Sequence, residues 1–300
     1  MWLGLLVVPW RPWTTDEHWE AKELSDEVDL SELTVLIPAR NEEAMIAEAL
    51  RQFSEQGKGY RIIVVDDRSD DATYEVANRY ASESCMVLKG EEPPEGWGGK
   101  LWALEQGRRV ANTRYLLLLD ADIALKPGTL PSLFKRMKDE KLDMLSLMAK
   151  PPFDRFWERA LMPAFIYFFK LLYPFSLANA ACSRRSAGAG GCLLIRSEAL
   201  ERSGGFEAIR GTLIDDCSLA SNVKQNGFSI WIGLTHSVWM RRPYSALMEI
   251  GNMIARTAYY QLRYSPALLV ACTLIMLIGF WGPLYAILFG TGVHSILGWA

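Results

Sequence analysis

Short apolar runs recur through the first 120 positions, and each stops on polar or acidic residues. Residues 34–37 (TVLI) end at Pro38, residues 61–65 (RIIVV) end at Asp66-Asp67, and residues 85–88 give a third run. Residues 115–119 (YLLLL) end at Asp120-Ala121-Asp122. Runs this short and continuous read as strands buried on both faces, the signature of a parallel sheet. Amphipathic stretches lie between them. Met45, Ile46, Ala49, Leu50 and Phe53 share one helical face, where Asn41 can cap and Glu42 and Glu43 suit the first turn. Ala72, Val76, Ala77 and Tyr80 share another, opened by Ser69-Asp70-Asp71, and residues 100–110 give a third helix. The alternation predicts an α/β fold with a mostly parallel central sheet, right-handed crossovers and helices on both faces. Ligands bind beyond the carboxyl ends of the strands in such sheets. Pro38 to Glu42, Asp66-Asp67 and Asp120 to Asp122 all fall at such ends, so the topology converges them on one edge.

The C-terminal pattern differs. Residues 267–289 carry no charge over a length that spans a bilayer, with Gly282-Pro283 permitting a kink; a buried helix of a soluble core is the alternative. Arg241, Arg242, Arg256 and Arg263 precede this stretch and no Lys or Arg follows it, which by the positive-inside bias puts the larger part of the chain in the cytoplasm, on the inner membrane. Any second span would lie beyond Ala300. Residues 161–181 hold one charge, Lys170, and two prolines. Pro163 and Pro174 leave too few residues between them to span, so the stretch reads either as membrane-interface helices with Lys170 snorkelling or as domain core. The first ten residues are apolar but too short to span and make a poor signal peptide; they fit an interfacial anchor or the remainder of a longer one. The expected divisions are therefore 1–33 as apolar segment and connector, 34–240 as the main domain, 241–266 as a basic amphipathic segment, and 267–289 as a transmembrane helix.

Half of the 300 residues are hydrophobic and the formal charge is −3, leaving no basic excess for a nucleic-acid partner. Five scattered cysteines without a CxxC pair point to a reducing compartment and away from zinc or disulfides. The three histidines show no metal-ligand spacing and read as structural or surface residues.

Asp120 and Asp122 at i and i+2 behind a buried strand are costly unless bound, and such oxygen ligands suit Mg²⁺ or Mn²⁺; a solvated turn closed by Lys126-Pro127-Gly128 is the other reading. Gly98-Gly99-Lys100 opens a helix and suits either a phosphate or a plain turn. No GxGxxG follows the first strand and no GxxxxGK[ST] occurs, so neither dinucleotide nor P-loop binding accounts for the site. Asp215-Asp216 opens a helix with face Leu219, Ala220 and Val223, as a cap or as a catalytic pair. The glycines of 188–191, Gly191 included, permit close approach of a ligand ahead of the strand-like run CLLI, or form a linker.

Taken in order, PARNEE, VVDDRSDDAT, WGGK, LLLLDAD, AGAGGCLLIRSEAL and LIDD resemble family 2 glycosyltransferases, across residues 33–264. The closer likeness is to membrane-bound members associated with hopanoid biosynthesis, akin to ceramide glucosyltransferases. The resemblance implies a GT-A, nucleotide-diphospho-sugar transferase fold. It implies that Pro38, Ala39, Arg40 and Glu42 line the base and ribose, that Asp67 holds a pyrimidine ring, and that Lys100 lies near the nucleotide-sugar. Asp120 and Asp122 match the DxD motif, with Asp122 the direct metal ligand. Asp215-Asp216 match the ED motif, whose second member is the general base. No QxxRW motif is present; residues 252–264 stand in its place, and Arg256 is the substitute phosphate ligand. That departure favours single transfer over polymer synthesis.

The expected activity is a metal-assisted, inverting transfer from a nucleotide-diphosphate sugar, UDP by resemblance, to a lipid or polyprenyl hydroxyl. A nucleotidyltransferase acting on a sugar phosphate is the competing enzyme class. A non-catalytic membrane module that retains the fold is the third reading.

Overall fold

The computed structural model of the chain describes residues 8–23, 27–244, 246–262 and 264–289, without the side chains of Arg256 and Leu284. Most of the apolar N-terminal decapeptide thus lies outside the described residues. The described residues fall into two compact units, one within 12–244 and the other made of 8–11 and 246–289.

One eight-stranded sheet runs through the first unit. Its strands are β1 (Leu33–Ala39), β2 (Arg61–Asp66), β3 (Cys85–Lys89), β4 (Tyr115–Leu119), β5 (Ile123–Leu125), β6 (Met144–Lys150), β7 (Cys192–Arg196) and β8 (Ile230–Met240), in the order β3-β2-β1-β4-β7-β6-β8-β5. The pairs within β3-β2-β1-β4 are all parallel, as the apolar runs predict. Beyond β4 the sheet turns mixed: β7 runs antiparallel to β4 and β6, β6 and β8 are parallel, and β5 is antiparallel to β8.

Every residue of β4 is buried, because it lies mid-sheet with helices over both faces. Leu117 packs with Val35, Val64 and Phe134 on one side, while Leu116 and Leu118 pack with Ile63, Leu104 and Leu193 on the other. Each such leucine contributes about 1.5–3 kcal/mol of burial. The helices are α1 (Glu43–Arg51), α2 (Thr73–Asn78), α3 (Gly99–Val110), α4 (Thr129–Asp139), α5 (Phe156–Leu172), α6 (Phe175–Asn179), α7 (Ser197–Arg202) and α8 (Asp215–Gln225). Buried Gln52 fixes the chain just past the DxD segment: its Nε2 donates to the Ile123 carbonyl at 3.2 Å, and its Oε1 accepts from Leu125 N at 2.8 Å.

Three local expectations are corrected. Asn41 does not cap α1; Glu42 precedes the helix, while Asn41 takes φ +55° and its Oδ1 accepts from Asp70 N at 2.9 Å. Pro163 does not interrupt α5, which runs through it for 17 residues with the proline on an exposed face. Lys170 does not snorkel. It is 2% exposed, and its Nζ lies 2.8 Å from Glu17 Oε2, so the neighbouring carboxylate compensates its burial.

The second unit holds α9 (Leu247–Gln261) and α10 (Pro266–Phe289). Among the described residues α10 is the one helix long and apolar enough to cross a membrane; mean hydropathy over Pro266–Pro283 is 1.9, and 6% of that stretch is buried.

Candidate active site

The site begins where β1 and β2 end. Asp67 N donates to the Ala39 carbonyl at 2.7 Å, which carries the β1–β2 ladder one residue past β2. Its carboxylate is nearly buried, 3.7 Å from Arg40 Nη1 and 3.8 Å from Arg68 Nε. Desolvation raises its pKa against the pull of these two cations. Oδ1 of Asp66 and Oδ1 of Asp67 are buried and accept no hydrogen bond. Buried acceptors without donors mark a place where a ligand can supply them.

The N-terminus of α3 abuts Asp67. A Cβ on Gly99 would sit 2.3 Å from Asp67 Oδ2, so this position requires glycine. Gly98 N donates to the Arg210 carbonyl at 3.1 Å. The glycine pair is therefore a close approach rather than a plain turn, and it aims Lys100 into the cleft.

Lys100 Nζ lies 2.7 Å from Asp120 Oδ1. The cleft walls desolvate the ammonium, but Asp120, Asp215 and Asp216 outweigh that cost and hold its pKa above the usual lysine value. Gly190 lies between the lysine and the acid pair: a Cβ there would be 3.4 Å from Asp216 Oδ2 and 3.6 Å from Lys100 Nζ. Asp215 and Asp216 stand in the first turn of α8, and neither is its cap, which is Ile214. Asp216 Oδ1 accepts from Cys217 N at 2.7 Å. Burial first, and the Asp215 charge second, push the Asp216 carboxyl up to about 7. A Cβ on Gly188 would meet the Asp216 carbonyl at 2.5 Å, so the glycine-rich stretch is a spacer against α8. Gly191 supports the acid loop through its carbonyl, which accepts from Asp120 N at 3.2 Å.

Asp122 faces a cation that sequence reading missed. Arg242, just past β8, lies 4.0 Å from Asp122 Oδ2 through Nε, and its Nη2 bonds both carboxylate oxygens of Glu42. Arg241 N donates to the Asp122 carbonyl at 2.8 Å, and Arg241 Nη2 donates to Gln52 Oε1 at 2.9 Å. The only available signal was position, two arginines directly behind a strand. In sequence they read as charges flanking a membrane span. Burial raises the pKa of Asp122, with Asp120 adding to it and Arg242 and Lys100 opposing. Burial likewise raises Glu42.

Contacts thus run from Arg40 and Asp67, through Gly99 and Lys100, to Asp120 and Asp216, and from Asp122 through Arg242 to Glu42. Asp66, Asp67, Asp120, Asp122, Asp215, Asp216 and Glu42 face four cations, Arg40, Arg68, Lys100 and Arg242. Carboxylates in excess, with the pKa values of Glu42, Asp67, Asp122 and Asp216 raised, suit a hard divalent cation. Asp120 is already paired with Lys100, which leaves Asp122 the freer ligand. Pro38 is half-buried in β1, and Ala39 contributes its carbonyl. The side chain of Arg256, on α9, lies outside the described residues.

A parallel half-sheet, an acid loop behind its fourth strand and an antiparallel β7 define a GT-A fold. Solved structures carry the same fold. A Pyrobaculum calidifontis mannosyltransferase in complex with GDP-Man and Mn²⁺ aligns with TM-score 0.51 at 21% identity, covering 72% of this chain and 60% of that one. Glucosyl-3-phosphoglycerate synthase from Mycobacterium tuberculosis, in complex with Mn²⁺ and UDP-glucose, aligns with TM-score 0.52 at 17% identity, covering 82% and 86%. The Glycosyl transferase family 2 model matches residues 34–204, and the chain belongs to that family. It is 33% identical over 93 residues to 4,4'-diaponeurosporenoate glycosyltransferase of Staphylococcus haemolyticus, 31% of this chain and 24% of that protein. It is 27% identical over 125 residues to dodecaprenyl-phosphate galacturonate synthase of Rhizobium johnstonii, 40% and 37%. The chain therefore spans well under half the length of these curated relatives.

Proposed function

We propose that this glycosyltransferase is a membrane-anchored inverting enzyme that moves one sugar from a nucleotide-diphosphate donor, a UDP-sugar by family resemblance, to a lipid or polyprenyl-type hydroxyl. The observation that carries the reading is Asp216, a carboxyl held near neutral pKa within reach of Lys100 and the Asp120 loop. A base poised near the operating pH is what hydroxyl deprotonation requires. The acceptor oxygen attacks the anomeric carbon as its proton passes to an Asp216 carboxylate oxygen. The bond from that carbon to the diphosphate breaks, and the diphosphate leaves with the electron pair. Attack opposite the leaving group inverts the centre, and no second carboxylate nucleophile is needed.

Asp67, whose buried Oδ1 accepts no hydrogen bond within the protein, accepts from a base N–H, and Arg40 and Glu42 flank the ribose. Lys100 meets the diphosphate charge by exchanging its Asp120 partner for phosphate oxygens. Asp122, with Asp120, would hold Mg²⁺ or Mn²⁺, whose charge would stabilise the departing diphosphate. Arg256 is a further phosphate ligand by resemblance. Gly191 and Asp215 shape the cleft around the sugar.

Two observations support the membrane part. α10 is long, apolar and exposed along its length, and α5 exposes Phe156, Trp157 and Leu172. Relatives named for a dodecaprenyl phosphate and for diaponeurosporenoate favour apolar acceptors, in line with single transfer at the cytoplasmic face of the inner membrane. The hopanoid association rests on the sequence resemblance alone. A screen of nucleotide-sugars with Mn²⁺ tests the reading: one donor should be hydrolysed slowly, releasing a nucleoside diphosphate. Release of pyrophosphate from a nucleoside triphosphate would move the chain to the nucleotidyltransferase class. Absence of both reactions would leave the fold without turnover.

A further inference from the structure

We propose a second metal site, selective for Zn²⁺, built from His18, Glu20 and His236 on the strap that precedes β1 and on β8. The sequence gives no hint of it, since Glu20 and His236 are 216 positions apart. The strap joins the sheet as a short parallel ribbon. His18 bridges to Leu234, Trp19 N donates to the Leu234 carbonyl at 3.0 Å, and Leu234 N donates to the Glu17 carbonyl at 2.8 Å. That register sets Glu20 opposite His236. Residues two apart on an extended chain share a face, so all three side chains emerge on one side.

They converge on one atom. Glu20 Oε1 lies 2.8 Å from His18 Nε2 and 3.1 Å from His236 Nδ1, and all three ligand atoms lie within 4.8 Å of one another. Zinc bonds of about 2.0–2.2 Å at tetrahedral angles set ligand atoms roughly 3.3 Å apart. The two carboxylate–imidazole separations lie within about half an ångström of that spacing, and the two imidazole nitrogens, within 4.8 Å of each other, would be drawn to it by side-chain rotation as the ion enters. The other oxygen of Glu20 is held by the Ser237 hydroxyl, an outer support of the kind that orients metal-binding carboxylates. The side chains are 41%, 33% and 70% exposed for His18, Glu20 and His236, so an ion has access and a coordination position stays open to water.

Two imidazoles and a carboxylate select zinc over magnesium or manganese, whereas the Asp120–Asp122 loop offers oxygen alone. The bound ion would clamp the strap to β8, the strand that leads into Arg241 and Arg242.

The test is calorimetric titration of Zn²⁺ into the full, untagged chain in detergent, with Mg²⁺ saturating. One high-affinity ion is expected, and it should persist in Asp122→Asn. His18→Ala and His236→Gln, both at exposed positions, should each weaken binding at least about tenfold. Co²⁺ should give a visible four-coordinate absorption band that both variants lose. Equal zinc binding in wild type and both histidine variants, loss of zinc in Asp122→Asn, or no binding at all would overturn the proposal. Unchanged circular dichroism of the variants excludes misfolding as the cause of any loss.

Discussion

Replacing Asp216 by Asn probes the proposed base and the burial that tunes it. Its carboxyl moves from an ordinary 3.8 to about 7, so half of it is ionised near neutral pH. Transfer by the native enzyme should rise tenfold per pH unit below about 7 and level off above about 8. Asparagine cannot accept the proton, so turnover should fall about 10²- to 10⁴-fold, equivalent to about 3–5 kcal/mol, and the acid limb should vanish. Donor affinity should stay within a few-fold. Stability should move the other way. A carboxyl whose folded pKa lies above its unfolded value binds its proton more tightly in the folded state. The stability it costs is absent below about 4 and grows as pH rises to about 7. At 1.36 kcal/mol per pH unit the cost reaches at most about 4 kcal/mol. The variant should therefore match the native melting temperature at pH 4 and exceed it at pH 8, by up to about 10 °C. Steady-state transfer against pH, with thermal melts at both pH values, reads both arms. Activity within threefold of native, or a retained acid limb, would refute the base. A melting difference equal at both pH values would refute the burial.

Gly99→Ala forces a Cβ onto Asp67 Oδ2, and strain of about 1–3 kcal/mol should appear as a donor KM raised roughly 5- to 150-fold with circular dichroism unchanged. Leu117→Ala empties a fully buried position in the central strand and should cost about 2–5 kcal/mol, read as a lowered melting temperature. Ile278→Arg, midway along α10, should cost about 2.5–3.5 kcal/mol of insertion, lowering the share of the chain recovered with membranes.

The parallel half of the sheet was legible because its strands are uninterrupted apolar runs whose ends carry the acids. Of the mixed half, only the CLLI run of β7 read as a strand. β6 and β8 carry Ser146, Thr235 and Ser237, polar in sequence yet buried in the sheet. Ser146 Oγ donates to the Ala189 carbonyl at 2.9 Å and accepts from Ala189 N at 2.8 Å, so a residue that breaks the apolar pattern is satisfied by the loop beside it. Without β8, Arg242 had no strand to carry it to Glu42 and Asp122. Lys170 misled for the same reason: its partner Glu17 is 153 positions away, in a segment read as a connector. Local pattern identified the acids and pointed to Lys100; Arg242, and the histidines that meet on Glu20, depend on strand order.

The central claim is that acids from four separate stretches serve one nucleotide-sugar. A crystal structure with Mn²⁺ and the donor identified by the screen tests it most directly. The account predicts the base at Asp67, the metal between Asp122 and the diphosphate, Lys100 on a phosphate oxygen, and an Asp216 oxygen within about 3 Å of the position the acceptor hydroxyl takes. A donor seated away from these residues, or with Asp216 turned from the anomeric carbon, would contradict it.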